Sequence, residues 1–548
     1  MAEAEIPNPE SRAPSIILRM KNTLTRAAFV LVVLLAAASA LAAITEPIRT
    51  ENGLVSGVAG AFPEVRVFKG IPFAAPPVGD LRWRPPQPAQ HWDGVRAADK
   101  FSANCMQRQA GGGAFPPYGG DRSATEMSED CLYLNVYTTA ASANDKRPVM
   151  VWIHGGAYTS GAGAIYQGED LARKGVVIVT VNYRLGVFGF LAHPELTKES
   201  PNHSSGDYAF LDQIAALKWV QKNIAAFGGD PARVTIFGES AGSWSVNNLV
   251  ATPLAKGVFQ RAIGESGGQF TITRTLAEAE QAGAKFAESA GATSLSALRA
   301  MAAAAVNGAN GFQTAATVDG WVFPQDVMSI FKAGKQNDVP VIIGSNANEG
   351  SIFTPETVTG ESFKTQSQRQ YGVDADAFLK LYPFTSDQDA RAAQAASMRD
   401  RTFGWEMRTW ARLQTQTGKS KVYMYYLSHV PPLANAAWLG AQHGAEIPFA
   451  FNWPNGKHST MVPWTDNDKK LAEQISSYWV NFATTGDPNG KDLPKWNAYS
   501  VKDDQLMGFA DAPAMTAVPH KAALDFLDGA NEKARASGTA GRRQTAQR

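Results

Sequence analysis

Cysteine is scarce, with only two in 548 residues, so a disulfide-dense scaffold is excluded. Neither they nor the eight histidines fall at metal-finger spacing, and no structural zinc site or other metal is expected. Charge is also sparse and balanced: 18% of residues are charged and the net charge is +1. That leaves no basic face for nucleic acid and no acidic tail. There is no internal repeat and no long linker. What the chain does have is apolar content, 44% hydrophobic, which makes it globular rather than disordered. Single cores stop growing well below this length, so either several domains or one heavily elaborated core must hold the chain.

One long apolar run is present. "AAFVLVVLLAAASALAA", residues 27–43, follows Arg19, Lys21 and Arg26. Ala40-Leu41-Ala42 supplies the small-x-small pattern of a signal-peptidase site, so residues 1–43 are expected to be a signal peptide cleaved after Ala42 or Ala43. "MKNTLTRAAF" from Met20 reads as a complete signal start, which makes residues 1–19 an expected over-extension. An uncleaved anchor is the competing reading, but the run falls short of the roughly 20 residues a span needs. The expectation is export to the periplasm or medium, with no stable membrane span after cleavage. In such an oxidising compartment Cys105 and Cys131 could close one loop, stabilising the fold by about 3 kcal/mol. Two buried free thiols are the alternative.

Along the mature chain, "DCLYLNVY", "RPVMVWIHGG" and "GVVIVTVNYR" read as strands. "YAFLDQIAALKWVQKNIAAFGGDP" has helical spacing and stops at Gly228-Gly229. "RVTIF" is a short buried strand, and a helix is expected from around Ser243. Residues 275–310 are helical in character, and "DVPVIIGSN" and "SKVYMYYLS" return to strands. The alternation implies an α/β fold with a mainly parallel sheet covered on both faces. Gln109 to Asp121 reads as a surface loop between the cysteines, and residues 530–548 as a disordered tail.

The chemistry concentrates in "VTIFGESAGSWS", Val234 to Ser245. A strand turning sharply into a helix has no space for side chains beside the turn. Gly238 and Gly242 meet that need and leave Ser240 projecting from the sheet edge, in the known G-x-S-x-G nucleophile elbow. A plain helix N-cap serine is the bland alternative. A serine hydroxyl needs a base, an orienter for the base and an oxyanion site. "HGGAY", His154 to Tyr158, follows a strand and offers the amides of Gly156 and Ala157, which with that of Ala241 would hold an oxyanion. His429, His443, His458 and His520 all lie downstream of the serine, and position alone does not choose the base.

"FKGIPFAAPPVGDLRWRPP", "SEDCLYLNVY", "VWIHGGAYTSG", "NYRLGVFGFL", "FGGDPARVTIFGESAGS", "SNANEGSIF", "GAQHGAEIPFAF" and "WVNFATTGDPNG" occur in order between about residues 50 and 525. In these stretches the chain resembles the type-B carboxylesterases of the cholinesterase-like branch. The resemblance implies an α/β-hydrolase fold over residues 44–529, with helical insertions forming a gorge or cap. It implies that His443 in "HGAEIPF" is the base and Glu349 in "NANEGS" the acid. It implies a Cys105–Cys131 disulfide and buried pairs of Arg82 with Glu129 and Arg184 with Asp212, with Glu239 and Ser266 as supporting residues. His154 is read as structural.

The expected activity is hydrolysis of a small-molecule carboxylic ester through an acyl-enzyme, with no cofactor. A non-catalytic cholinesterase-like binding protein and a long-chain lipase are the alternatives. The disulfide loop lacks the family's cation-binding tryptophan and has Phe115 and Tyr118 instead, so choline esters are not expected. Trp244, Trp321, Phe353 and Trp438 are candidate pocket aromatics, though large aromatics are more often simple core.

Overall fold

The structure, a computed structural model, describes Met1 and residues 44–108, 126–271, 274–458 and 461–537. The expected signal peptide beyond Met1, the whole 109–121 loop with Phe115 and Tyr118, and the chain from residue 538 lie outside the described residues.

The apolar runs become strands of one 11-stranded sheet. In chain order these are β1 (Val58–Ala59), β2 (Arg66–Pro72), β3 (Tyr133–Thr138), β4 (Arg147–Ile153), β5 (Val177–Val181) and β6 (Gly229–Glu239). They continue with β7 (Arg261–Glu265), β8 (Val341–Asn346), β9 (Val422–Leu427), β10 (Gln505–Phe509) and β11 (Pro513–Ala517). Across the sheet the order is β11-β10-β9-β8-β7-β6-β4-β5-β3-β2-β1. From β5 across to β10 every neighbouring pair is parallel, and only the edges are antiparallel. The continuous apolar character of the central strands follows, because both faces are buried. In β4, Val149, Val151 and Ile153 enter one core, while Met150 and Trp152 enter the other. This is the α/β-hydrolase arrangement.

The helices that matter here are α1 (Tyr208–Asn223), α2 (Ala241–Ala251), α3 (Asp387–Met398), α4 (Trp405–Thr417), α5 (Asp466–Thr485) and α6 (Lys521–Ala536). α1 and α2 supply Leu217, Val220, Val246 and Leu249 to the first core, and α5 supplies Ile475, Trp479 and Phe482 to the second. α1 runs into a short 3₁₀ turn that ends at Gly228, whose φ of 79° is the left-handed stop read from the Gly-Gly pair. Residues 275–310 form three helices, Leu276–Ser289, Leu295–Ala300 and Ala303–Gly308. Among the described residues no helix is long and apolar enough to cross a membrane.

Two expectations need correction. α2 begins at Ala241, directly after the serine, not around Ser243. The tail does not begin at Ala530, because α6 continues to Ala536 with Ala530 and Ala534 buried. Its inward stripe, Ala523, Leu524, Leu527, Ala530 and Ala534, is made largely of alanine. Alanine contributes helix propensity and fit but little hydropathy signal.

Cys105 and Cys131 are joined in a disulfide. Arg82 Nε donates to Glu129 Oε1 at 2.6 Å, and its Nη1 caps the carbonyl of Met301 at 2.8 Å. Arg184 grips Asp212 of α1 through Nε and Nη2, at 2.8 and 2.7 Å, and Asp212 also accepts the Arg184 amide. Both side chains are buried, and burial raises the Asp212 pKa against the pull of Arg184. Arg184→Met leaves a buried, unpaired carboxylate and is expected to cost about 3–5 kcal/mol in urea unfolding. Adding Asp212→Leu should restore most of the loss. A double variant no more stable than the single one would show that the cost is not electrostatic.

Candidate active site

The site is assembled at the carboxyl ends of the central strands, where open α/β sheets bind ligands. β6 ends at Glu239, and Ser240 takes φ 57° and ψ −122°, a conformation disfavoured for a residue with a Cβ. Its N–H donates to the Glu265 carbonyl at 2.8 Å, and its own carbonyl accepts the Trp244 N–H at 2.9 Å, so the strained turn is held from both sides. Gly238 and Gly242 are required by space. A Cβ on either would stand 2.5 and 2.0 Å from the Ile153 carbonyl oxygen at the end of β4. The hydroxyl of Ser240 is half-buried and makes no hydrogen bond among the described residues.

The Gly155-Gly156-Ala157 turn lies against this elbow, since a Cβ on Gly155 would be 3.1 Å from Ser240 Cβ. Gly156, Ala157 and Tyr158 run at φ 103°, 54° and 60°. Among the described residues the amides of Gly156, Ala157 and Ala241 donate to no protein acceptor. His154 is elsewhere engaged. It is fully buried, its ring stacks on Tyr183 at 4.4 Å, and burial lowers its pKa to about 4, so it is a neutral core residue.

Glu349 follows β8, and His443 sits on the loop after β9. His443 Nδ1 is 2.6 Å from Glu349 Oε2. Glu349 Oε1 accepts from Ser266 Oγ at 2.6 Å and the Asn346 amide at 2.7 Å, which fixes the carboxylate completely. The other imidazole nitrogen, Nε2, lies 3.0 Å from Glu239 Oε1, on the residue before Ser240. No hydrogen bond joins Ser240 to His443 among the described residues. The structure therefore brings Glu349, His443 and Glu239 into contact and puts the serine one residue from that contact.

The site is rich in buried carboxylates. Burial raises Glu239 to about 8, with Glu446 and Glu349 adding and His443 opposing. For His443 burial acts downward, but Glu239 and Glu349 outweigh it and push its pKa to about 9. Glu446, three residues after His443, is raised by burial and by Glu349 to about 7, and it shares the Ser266 hydroxyl at 3.0 Å. Glu265 accepts from Trp479 Nε1 at 2.7 Å.

Two aromatic rings flank the imidazole, Phe353 at 5.2 Å and Phe403 at 4.6 Å between centroids. Phe403 comes from a π-helical turn, Arg399–Gly404, between α3 and α4. Such widened turns often occur at functional sites. Sequence reasoning missed Phe403, Glu265 and Glu446. For Glu446 its spacing from His443 was a usable signal; for Phe403, in the polar stretch "MRDRTFGW", there was none. Of the other candidate aromatics, Trp244 packs on Tyr158 at 5.6 Å, Trp438 donates to the Ser351 carbonyl at 3.1 Å, and Trp321 lines a separate cavity.

The model of the "Carboxylesterase family" matches residues 45–527. Fumonisin B1 esterase of Sphingopyxis macrogoltabida is 38% identical over 473 residues, covering 83% of this chain and 85% of that protein. Carboxylesterase 5A of Canis lupus familiaris is 36% identical, covering 86% and 87% of the two chains. Cocaine esterase of Homo sapiens is 33% identical, covering 84% and 87%. A serine turn with no room for a side chain at 238 or 242, and a histidine hydrogen-bonded to a buried glutamate, thus occur in a chain that belongs to the carboxylesterase family.

Proposed function

We propose that this carboxylesterase works by two-step acyl transfer through Ser240, His443 and Glu349. The observation that carries the reading is the 2.6 Å Glu349–His443 contact, with Nε2 turned to the residue before Ser240. Ser240 Oγ attacks the ester carbonyl while His443 Nε2 takes its proton. The amides of Gly156, Ala157 and Ala241 receive the oxyanion. His443 then protonates the leaving alcohol, and a water activated by the same nitrogen releases the acid and frees the serine. Glu349 holds the tautomer with the proton on Nδ1 and stabilises the imidazolium. Phe353 and Phe403 offer an apolar wall to one side of the ester. The relatives' names differ in substrate, so the reading commits to the reaction and not to one ester. Treatment with a fluorophosphonate should leave a single adduct on Ser240 by peptide mapping. Folded protein without that adduct would favour the non-catalytic binding protein.

Export of the chain belongs to the same proposal, and the disulfide supports it. The N-terminal sequence of the secreted protein should begin at Ala43 or Ile44.

The pH dependence follows from the pair. His443 must be unprotonated to act as base, and the negative charge of Glu239 favours its protonated form. The acid limb of kcat/KM is therefore expected above the ordinary imidazole value of about 6.5. Glu239→Gln removes that charge, destabilises the imidazolium and moves the limb toward lower pH. A pH–rate profile from 5 to 10 on a p-nitrophenyl ester reads the shift; superimposable limbs would remove Glu239 from any control of the base.

A further inference from the structure

Behind the Glu349–His443 pair, one hydroxyl faces two carboxyl groups. Ser266 Oγ lies 2.6 Å from Glu349 Oε1 and 3.0 Å from Glu446 Oε1, and all three residues are at most 1% exposed. A hydroxyl carries one hydrogen, so it cannot donate to both. Glu349 has the shorter contact, and its other partners are donors as well: the Asn346 amide on Oε1 at 2.7 Å and, in the proposed tautomer, His443 Nδ1 on Oε2 at 2.6 Å. Donors on both oxygens make Glu349 the ionised member. Glu446 is supplied differently. Its Oε2 accepts from Asn346 Nδ2 and its own amide donates to the carboxyl, but its Oε1 meets a serine oxygen whose hydrogen is already committed. Two oxygens 3.0 Å apart repel unless a hydrogen lies between them, and the hydrogen left to fill that gap is the one Glu446 itself can carry.

Charge points the same way. Glu239 of β6, Glu265 of β7, Glu349 and Glu446 are each at most 3% exposed. Among the described residues none of the four forms an ion pair with a lysine or arginine, and His443 is their one cationic partner. Tyr425 of β9 also faces the cluster and is held neutral by burial. Buried carboxylates without enough positive charge take up protons instead of staying ionised. Burial and Glu349 accordingly raise Glu446 to about 7.

We propose that Glu446 is a neutral carboxylic acid and a positioning residue, donating from Oε1 to Ser266 Oγ, which donates in turn to Glu349 Oε1. Each hydrogen stays on its own oxygen, and no proton passes along the chain. Held from behind in this way, Glu349 keeps Oε2 on His443 Nδ1 and fixes the plane of the imidazole. A proton on Glu446 also withholds a third negative charge, after Glu239 and Glu349, from a histidine that must release its own proton to act. The role rests on the reading of His443 as base and Glu349 as its orienter.

Infrared difference spectroscopy of the full-length protein at pH 6 reads the hydrogen directly. Wild type minus Glu446→Gln should show the carbonyl stretch of a protonated carboxylic acid and no carboxylate bands. Kinetics on a p-nitrophenyl ester reads the positioning. Glu446→Leu removes the donor and should lower kcat by at least about tenfold, the scale of one hydrogen bond, with a much smaller change in KM. Glu446→Gln should recover most of that loss, because its amide NH2 donates to Ser266 while its carbonyl accepts from Asn346. If the leucine variant does not fold, the infrared result decides alone. Carboxylate bands in the difference spectrum would mean that two ionised groups share one hydrogen, and would overturn the proposal. So would a glutamine variant as slow as a folded leucine variant, or a leucine variant with wild-type kcat. Fluorophosphonate labelling separates the two readings: an adduct on Ser240 together with carboxylate bands counts against Glu446 alone. An acid band without the adduct counts against the acyl-transfer reading and leaves the hydrogen on Glu446 in place.

Discussion

Ser240→Ala is expected to lower kcat for ester hydrolysis by about 10⁶-fold and leave the folded structure in place. The size of the effect follows from what the hydroxyl does in the proposed mechanism: it is the atom that forms the acyl bond, so no other group in the site takes over its step. A residual rate of about 10³–10⁴ over water would persist from the oxyanion amides and binding alone. The fold should survive because the Ser240 hydroxyl makes no hydrogen bond among the described residues, and alanine retains the Cβ already accommodated at φ 57°. The thermal midpoint should therefore match the wild type. Turnover above about one per cent of the wild-type kcat, in protein free of contaminating esterase, would end the assignment of Ser240 as nucleophile.

What could be read from sequence differs by physical cause. The elbow was legible because crowding restricts the residue type: the Ile153 carbonyl admits only hydrogen at 238 and 242, and that restriction is visible as two glycines. The central strands were legible because burial on both faces demands unbroken apolar runs. The proposed base was not legible from position, since a histidine loop reaches the site through the whole topology. The other downstream histidines have different engagements in the structure. His429 binds Asp468 at 2.6 Å, His520 meets Tyr426 at 3.2 Å, and His458 lies 3.7 Å from Glu169. Family resemblance, not spacing, selected His443. The boundary at Ala530 failed for the opposite reason: α6 packs through alanines, and small residues give almost no hydropathy contrast. Glu265 and Glu446 were overlooked because a buried carboxylate looks like a surface one until its neighbours are known.

Gly242→Ala should damage stability and catalysis together, and the pairing is the informative part. Its Cβ would stand 2.0 Å from the Ile153 carbonyl oxygen and 3.0 Å from the carbonyl carbon, both backbone atoms. No side-chain rotation relieves such a contact, so either α2 or the end of β4 must move. Overpacking of this kind costs about 3 kcal/mol, at the upper end of the usual range. The next residues after Ile153 are the His154-Gly155-Gly156-Ala157 turn, which carries two of the three proposed oxyanion amides. Displacing that turn from Ser240 should lower kcat by about 10²–10³-fold, as loss of one donor does, with a much smaller change in KM. Gly308→Ala is the matched control: a Cβ there meets nothing within 4 Å, and its stability should lie within about 0.5 kcal/mol of wild type. If Gly242→Ala lost stability but kept its kcat, the turn after β4 would be adjusting independently of the elbow, and the Gly156 and Ala157 amides would lose their claim to the oxyanion. If it lost neither, the elbow would have room to spare, and crowding could not be the reason for its glycines.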